Sequence, residues 1–254
     1  MTPSLLMLLP FGVVVAVGFL FVRMASREIP KRQRSRLKEA LDALDPSNDP
    51  EPAEEQAWLQ WPSRWIAVSG AKPVAVRNAL DLCGVQWCSL AEGLQLASED
   101  RYFISQHVKD WVVVFGRELP DPGSDPDHLF RFLSDLSHEL GTVQYFCADP
   151  VVGEHAWIWI EQGRVKRAFA WSGSTVWNQG DLTPAEKSLG VECPGYGEES
   201  PEDLRRNAMA RYNVDRVHQL ASKWGLDPGR LTRSLPKGAQ GIVGKRRLQR
   251  KSQP

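Results

Sequence analysis

The sequence predicts an α+β domain with a mostly antiparallel sheet, which follows a single N-terminal transmembrane helix. Three observations support this prediction. Alternating runs on both sides of Gln162-Gly163 have the pattern of a β-hairpin. The chain between Trp65 and Cys147 contains strand-like and helix-like segments in the order β-α-β-β-α-β. Residues 5–22 carry no charged side chain, over a length close to the thickness of a bilayer.

A cluster of basic residues follows the apolar run and sets its predicted orientation. A cleaved signal peptide is disfavoured, because residues 1–4 carry no positive side chain and residues 23–27 make a poor cleavage site. Since positive charge stays on the cytoplasmic side, we expect an inner (cytoplasmic) membrane protein with its soluble domain in the cytoplasm. The candidates for contact with anionic lipid are Arg23, Arg27, Lys31, Arg32 and Arg34. The alternative is that these residues only fix the topology.

Composition divides the chain into five regions. The predicted boundaries are 1–27 for the transmembrane anchor, 28–58 for a basic and then acidic, Pro-rich linker, 59–178 for the α+β core, 179–233 for C-terminal helices that pack on the core, and 234–254 for a basic disordered tail. The linker is expected to be an extended, solvated tether because of its prolines and carboxylates. The tail is expected to be disordered because its basic residues are accompanied by no acid.

The predicted core has the split β-α-β order of ferredoxin-like folds, with the Trp-rich hairpin appended. Its segments are, in chain order, a strand over 65–70, a helix over 73–82, a short helix capped by Ser89, strands over 102–108 and 111–115, a helix over 126–140 and a strand over 143–147. Residues 111–115 are apolar at every position, which indicates a strand that is covered on both faces. Asp125 has the composition of a helix N-cap, and Gly141 is placed to end that helix.

The hairpin has a definite predicted register, with Glu161 paired to Arg164 across the turn. The pairs that follow are Ile160–Val165, Trp159–Lys166, Ile158–Arg167, Trp157–Ala168 and Ala156–Phe169. Both faces of the hairpin carry large apolar side chains, so both are expected to be covered. A slip of one residue would move every side chain to the opposite face.

Two helices are predicted after the hairpin. The first begins with a capping box from Thr183 to Glu186 and ends at Gly190. The second begins near Ser200, is expected to break at Tyr212-Asn213 and ends at Gly225. The apolar stripe of its second half consists of Val214, Val217, Leu220 and Trp224.

The aromatic face of the hairpin is the leading candidate for a binding surface. Trp157 and Trp159 alternate with core positions, and the predicted register places Lys166 beside them. If this face were uncovered, it would form an apolar patch with a cation–π pair between Trp159 and Lys166. The alternative is that the C-terminal helix packs on this face.

Composition argues against several classes of function. The formal net charge is zero, which gives no overall signature of nucleic-acid binding. The four cysteines lack zinc-site spacing and read as buried free thiols in a reducing compartment. We therefore expect no nucleic acid, no metal and no cofactor. The glycines of residues 238–245 do not make a phosphate-binding loop, because Ala239 replaces the first glycine and Arg246 replaces the Ser or Thr.

Two residue pairs have the composition of catalytic dyads. Ser134 and His138 lie one turn apart on a predicted helix, and Cys147 and His155 end and begin neighbouring strands. A local hydrogen bond in the first pair and a buried thiol near an unrelated histidine in the second are favoured, because neither pair has an evident oxyanion donor or orienting group. The sequence thus favours a protein without catalysis.

Four segments resemble an uncharacterised family of bacterial proteins. They are the Trp-led strand at 111–116, Arg167-Ala-Phe-Ala-Trp171, the stretch from Trp177 to Glu186, and the stretch from Ala221 to Pro228. These motifs are structural, and the part of the chain that they span, from Trp111 onward, is about half of it. The resemblance implies a shared fold unit and no particular reaction. We expect a membrane-anchored cytoplasmic module that acts in protein interaction or regulation, with a membrane-proximal enzyme of unrecognised class as the alternative.

Overall fold

A computed structural model of the chain describes residues 62–198, 202–225, 231 and 238–247. The predicted anchor over 5–22, the linker and the basic residues from Arg23 to Arg34 lie outside the described residues. Within the described part of the chain, no helix combines the length and the apolar character needed to cross a membrane.

The described residues form one nine-stranded sheet in which every neighbouring pair is antiparallel. The strands are β1 (Arg64–Ser69), β2 (Leu82–Ser89), β3 (Tyr102–Ile104), β4 (Trp111–Phe115), β5 (Thr142–Asp149), β6 (Glu154–Glu161), β7 (Arg164–Trp171), β8 (Thr175–Gln179) and β9 (Gln240–Arg246). Their order across the sheet is β2-β9-β3-β4-β1-β5-β6-β7-β8. The predicted α+β class with a mostly antiparallel sheet is confirmed.

Helices cover both faces of this sheet. They are α1 (Pro73–Ala79), α2 (Leu90–Ala97), α3 (Pro126–Leu140), α4 (Pro184–Leu189) and α5 (Asp203–Trp224). One core lies beneath α1 and α3 and includes Val76 and Leu133. The other lies beneath α2, α4 and α5 and includes Leu94 and Val217. Apolar side chains point to both faces of the central strands for this reason.

The predicted ends of α3 and α4 agree with the observed caps, whereas the helix predicted over 73–82 ends at Ala79, because Leu82 begins β2. The Asp125 carboxylate accepts a hydrogen bond from the His128 amide at 2.8 Å, and α3 ends at Gly141. Thr183 and Glu186 form a complete capping box at the start of α4, and Gly190 ends this helix with a left-handed backbone (φ +64°). These positions follow from local chemistry, because each cap satisfies backbone groups that a helix end leaves unpaired.

The hairpin register is correct at the turn and wrong beyond it. Glu161 pairs with Arg164, and Ile160 pairs with Val165. A β-bulge then adds one residue to β7, so the next pairs are Trp159–Arg167, Ile158–Ala168, Trp157–Phe169 and Ala156–Ala170. The bulge reverses the alternation of β7. It therefore turns Arg167 onto the face of the sheet that carries Trp157.

The predicted break at Tyr212-Asn213 is absent, because α5 is continuous across these residues. Asn213 is fully buried, and its side chain bonds to the backbone N–H and C=O of Glu192 at 3.2 and 2.8 Å. Asparagine disfavours helices when its side chain competes for local backbone groups. Here the Asn213 side chain bonds to the backbone of Glu192 and so does not compete for the backbone of α5, which continues as a helix.

The predicted disordered tail is wrong for residues 240–246, which form β9 inside the sheet. Val243 pairs with Phe103 on one side and Gln86 on the other. The strand has only two large apolar residues, Ile242 and Val243, among glycines and basic residues. Such a short run gives no periodic signal. Neighbouring β2 is not predicted either, because Gly84 and a β-bulge between Cys83 and Gln86 interrupt its alternation. Residues 248–254 lie outside the described part.

The face beneath α5 buries two histidines. His155 donates from Nδ1 to the Gly153 carbonyl at 3.0 Å, and its Nε2 accepts a hydrogen bond from Asn213 Nδ2 at 3.1 Å. The amide of Asn213 is oriented by its bonds to Glu192. Burial lowers the pKa of His155 to about 4 and the pKa of His218 to about 3. Both rings are therefore neutral in the folded protein near pH 7.

We expect the protein to lose stability as the pH falls from about 6.5 to about 4. A histidine with a lowered folded pKa takes up a proton on unfolding. Its contribution is thus complete above the unfolded pKa and is lost as the pH falls toward the folded pKa. Glu154 acts in the opposite sense, because burial raises its pKa and favours the protonated form in the folded state. Each histidine accounts for a loss on the order of 2 kcal/mol near pH 5, so the two histidines outweigh the opposite contribution of one glutamate.

Urea unfolding of the full chain at about pH 7.5, 6 and 5 measures this loss. In His155→Gln the loss should be smaller, because one of the two groups no longer titrates. In His128→Gln, at an exposed position on α3, the loss should equal that of the unmodified protein. An unfolding free energy that does not change over this range would contradict the prediction.

Candidate functional site

The hairpin face with Trp157 and Trp159 is covered by the chain's own helices. Trp157 is fully buried, and its indole N–H donates to Glu186 on α4 at 2.7 Å. Trp159 is partly buried and lies against Trp224 at the end of α5, with ring centroids 5.5 Å apart. The predicted open aromatic surface is therefore not formed. The alternative, in which the C-terminal helix packs there, describes the structure.

Lys166 lies in the β-bulge and is half-exposed. Its Nζ pairs with Glu161 Oε2 at 3.3 Å, and the indole N–H of Trp159 donates to Glu161 Oε1 at 3.1 Å. The lysine and the indole thus share a carboxylate instead of forming the predicted cation–π pair. Of the candidate binding residues, only Lys166 keeps an accessible polar end. The candidate lipid contacts Arg23, Arg27, Lys31, Arg32 and Arg34 lie outside the described residues.

Neither candidate dyad is assembled. Cys147 and His155 lie on neighbouring strands but point to opposite faces of the sheet. Cys147 belongs to the core beneath α1 and α3, whereas the His155 ring stacks on Trp157 in the other core. Burial also raises the pKa of the Cys147 thiol. Ser134 Oγ is buried and has no hydrogen-bond partner in the described part of the chain, so the expected bond to His138 is absent.

The bulge in β7 instead creates a buried ion pair. Arg167 and Glu186 have side-chain exposures of 1% and 0%, and Arg167 Nε lies 2.7 Å from Glu186 Oε1. Glu186 Oε2 accepts from the backbone N–H and the hydroxyl of Thr183 at 2.7 and 2.8 Å. One carboxylate therefore joins the α4 cap, the indole of Trp157 and the guanidinium.

The guanidinium of Arg167 is satisfied on two of its three nitrogens. Nη1 is surrounded by acceptors, namely Asn178 Oδ1 at 2.7 Å and the carbonyls of Ala168, Gln179 and Gly180 at 2.9–3.2 Å. Nη2 is buried and has no acceptor among the described residues. Buried donors of a charged group are rarely left unpaired, because desolvation makes this expensive. Among the described residues, Nη2 is therefore a donor of this cluster that is shielded from solvent and has no acceptor.

Arg167 lines a cleft of about 480 Å³ beside α4. The other lining residues are Asn178, Gly180, Asp181, Leu182, Lys187 and Cys193. Tyr196, which is 62% exposed, lies next to this cleft, because its hydroxyl accepts a hydrogen bond from the Asn178 amide at 3.0 Å. Leu182 is also exposed, at 39%. The cleft thus combines a buried guanidinium with exposed aromatic and aliphatic side chains.

Cys193 does not supply a reactive thiolate to this cleft. Burial raises the pKa of its thiol to about 12, against a smaller opposite effect of Arg167. The thiol interacts with the guanidinium, but sulfur is a weak acceptor and does not replace an oxygen partner for Nη2. The chemistry of the cleft is therefore hydrogen bonding and charge pairing.

A second charged cluster lies at the end of β1 and β6. Arg64 pairs with Asp121 at 2.7 Å, and Glu154 lies close to both. Burial raises the pKa of Glu154, and the neighbouring Asp121 adds to this effect. Glu154 is 7% exposed, and it lines neither this cleft nor a second, smaller cavity near Phe132.

The sequence points to Glu186 through its capping box, but gives no sign of its ion pair with Arg167. No local signal marks the bulge that brings Arg167 to this face. Among the described residues, no group of three or more His, Cys, Asp or Glu side chains is arranged to hold a metal ion. No protein-family model, curated protein or solved structure matches this chain.

Proposed function

We propose that this protein is a membrane-anchored module that binds a protein partner on the cytoplasmic side of the membrane. Residues 5–22 supply the anchor, and the basic residues that follow set the orientation. The acidic, Pro-rich linker gives the folded domain reach from the membrane surface. The partner binds at the cleft beside α4.

One observation carries this proposal: Leu182, which lines the same cleft as Arg167, and Tyr196, which is hydrogen-bonded to the cleft residue Asn178, are both exposed. Tyrosine and arginine are enriched in the residues that dominate binding energy at protein interfaces. An interface core of this kind is apolar with a few well-placed polar groups. The hairpin tryptophans do not take this role, because they form the core beneath the cleft.

We further assign the core of the module to the ferredoxin-like class. Six elements, β1, α1, β3, β4, α3 and β5, follow one another in the split β-α-β order, apart from an inserted β2 and α2. The assignment is supported by the adjacent order β3-β4-β1-β5 and by the placement of α1 and α3 on one face. The hairpin, β8 and β9 extend this unit on both sides.

A membrane-proximal enzyme is the alternative, and the raised pKa of Glu154 is the observation in its favour. Groups with perturbed pKa values are common in active sites. Here the perturbation comes mainly from burial and from Asp121, within a structural cluster that contains Arg64. Because Glu154 lines neither cavity, this reading is supported less well than binding at the Arg167 cleft.

Photo-crosslinking in intact cells tests the proposal. Benzoylphenylalanine is introduced at position 196 or 182, and at Arg131 as a control, which is exposed on α3 at the other face of the sheet. We expect positions 182 and 196 to give the same crosslinked species, recovered with the membrane fraction, and position 131 to give none. Equal crosslinking from position 131, or none from the two cleft positions, would contradict the proposal.

A further inference from the structure

We infer that the turn between β5 and β6, residues 149–153, contacts the membrane surface and places Val151 and Val152 among the lipid headgroups. The contact rests on the proposed function, in that the segment over 5–22 is taken to hold the chain in the membrane. The turn is then a second point at which the chain meets lipid, and it directs one end of the sheet toward the bilayer.

The turn carries the two most exposed large apolar side chains of the described residues. Val151 is 90% exposed and Val152 is 71% exposed. Pro150 precedes them, so three consecutive residues offer no polar side-chain group. A single exposed apolar residue is common on protein surfaces, whereas adjacent ones at the tip of a turn form a small apolar projection. Such a projection can enter the boundary between headgroups and acyl chains, where apolar side chains leave water.

Hydrogen bonds within the turn hold the two valines in place. The Asp149 carboxylate accepts a hydrogen bond from the Val151 N–H at 2.9 Å and a weaker one from the Val152 N–H at 3.4 Å. The Gly153 N–H donates to the Asp149 carbonyl at 2.9 Å. Because the turn is ordered before it meets lipid, little conformational entropy is lost on contact.

The position of the turn in the fold identifies lipid as its partner. The N–H of Ala148, next to the turn, donates to the carbonyl of Ser63 at 2.8 Å. Ser63 immediately precedes β1, so the segment that leads from the predicted anchor joins the folded domain beside this turn. A flexible tether gives the membrane its highest effective concentration near the point of attachment. Other partners would not be held near this end of the sheet.

Three carboxyl groups near the turn are engaged within the domain. Asp149 bonds to the backbone of the turn, and Asp121 is paired with Arg64 at 2.7 Å. Glu154 is only 7% exposed, and burial raises its pKa, which favours its neutral form. These groups therefore offer little electrostatic resistance to an anionic membrane surface.

Photo-crosslinking to lipid tests this contact in the full chain. The chain is reconstituted into vesicles of phosphatidylethanolamine and phosphatidylglycerol and washed with alkaline carbonate, which removes proteins that are not integrated in the bilayer. Benzoylphenylalanine replaces Val151 or, as a matched control, Val74. Val74 is an exposed valine in the first turn of α1, which follows the opposite end of β1. Mass spectrometry after irradiation measures the phospholipid adduct at each position.

We expect the yield of phospholipid adduct to be about tenfold higher at position 151 than at position 74. In the chain with benzoylphenylalanine at position 151, Val152→Asp should lower the yield about tenfold, because the turn loses one apolar side chain and gains a charge. Val74→Asp in the same chain should leave the yield unchanged. Equal yields from positions 151 and 74, or an adduct that Val152→Asp does not reduce, would overturn the inference.

The outcomes also separate this contact from the proposed function. A carbonate-resistant chain that forms no adduct at position 151, but crosslinks to a partner from positions 182 and 196, would remove the membrane contact alone. An adduct at position 151 without any partner crosslink would remove the protein partner and leave the contact. Loss of the chain from the vesicles in carbonate would remove the anchor and therefore both. A protein crosslinked from position 151 in intact cells, in place of lipid, would assign the turn to a protein partner and overturn the inference.

Discussion

Replacing Glu186 by alanine should lower the free energy of unfolding by about 3–5 kcal/mol, the range for breaking a buried ion pair by removing one partner. The substitution leaves the Arg167 guanidinium buried at 1% exposure without its counter-charge. It also removes the acceptor of the Trp157 indole N–H and opens the capping box at Thr183. The Glu186 carboxylate makes all of these interactions, so one substitution removes them together.

Chemical denaturation of the full chain, followed by tryptophan fluorescence and by circular dichroism, measures the effect. Glu161→Gln is the matched control, since Glu161 pairs with the half-exposed Lys166 and accepts from an indole as well. We expect this control to lose less than about 1 kcal/mol. Equal losses in the two variants would show that burial does not set the energy of the pair.

A double variant separates the effect of an unpaired buried charge from the effect of the side-chain volume that is lost in Glu186→Ala. In Arg167→Met with Glu186→Leu, no buried charge remains, although the Trp157 N–H stays without its acceptor. Buried ion pairs can often be replaced by apolar residues without loss of stability. We therefore expect the double variant to be more stable than Glu186→Ala. If the double variant were less stable than Glu186→Ala, the attraction between Arg167 and Glu186 would exceed the free energy needed to desolvate the two charges.

The ion pair between Arg167 and Glu186 also affects the register of the hairpin. If β7 were regular, Arg167 would point into the core beneath α1 and α3, near Ile158 and Val165. The bulge turns Arg167 to the other face, where the Glu186 carboxylate balances its positive charge. An alternative register would leave one of the two charges buried and unpaired. The ion pair thus favours a single register in this hairpin.

Local signals allowed the helix ends and the hairpin turn to be predicted. Asp125, Thr183 and Gly190 act on backbone groups within three or four residues of themselves, so their roles can be read from neighbouring sequence. Gln162-Gly163 likewise adopts the positive φ angles that a tight turn requires. Such interactions do not depend on which distant segment lies nearby.

Non-local pairing explains what could not be predicted. The bulge in β7 depends on Glu186, which lies beyond β8, and the continuity of α5 depends on contacts of Asn213 with Glu192 and His155. The buried position of Arg167 Nη2 is a result of the same bulge. The clearest case is β9, whose few apolar residues form a strand because β2 and β3 offer open edges on both sides.

The position of β9 leads to the second large effect, a loss of about 3 kcal/mol for Gly241→Val, at the upper end of the range for overpacking. A Cβ at position 241 would lie 2.2 Å from the Phe103 ring and 2.6 Å from the backbone oxygen of Ile104. The same ring also lies against Gly93, where an added Cβ would lie 2.1 Å from it, so the ring is closely packed against two glycines. The strand must therefore shift, which would break its pairing with β3.

Gln240→Ala is the control for this substitution, because the Gln240 side chain is exposed and the hydrogen bond from Gln106 uses the backbone carbonyl, which alanine keeps. We expect it to change the unfolding free energy by less than about 0.5 kcal/mol. Urea unfolding of the two variants against the unmodified chain makes the comparison. If residues 240–246 were a solvated tail, as their basic composition predicts, both variants would be neutral, because a side chain in solvent meets no ring. A large loss confined to Gly241→Val requires the strand to lie between β2 and β3, with its glycine against Phe103.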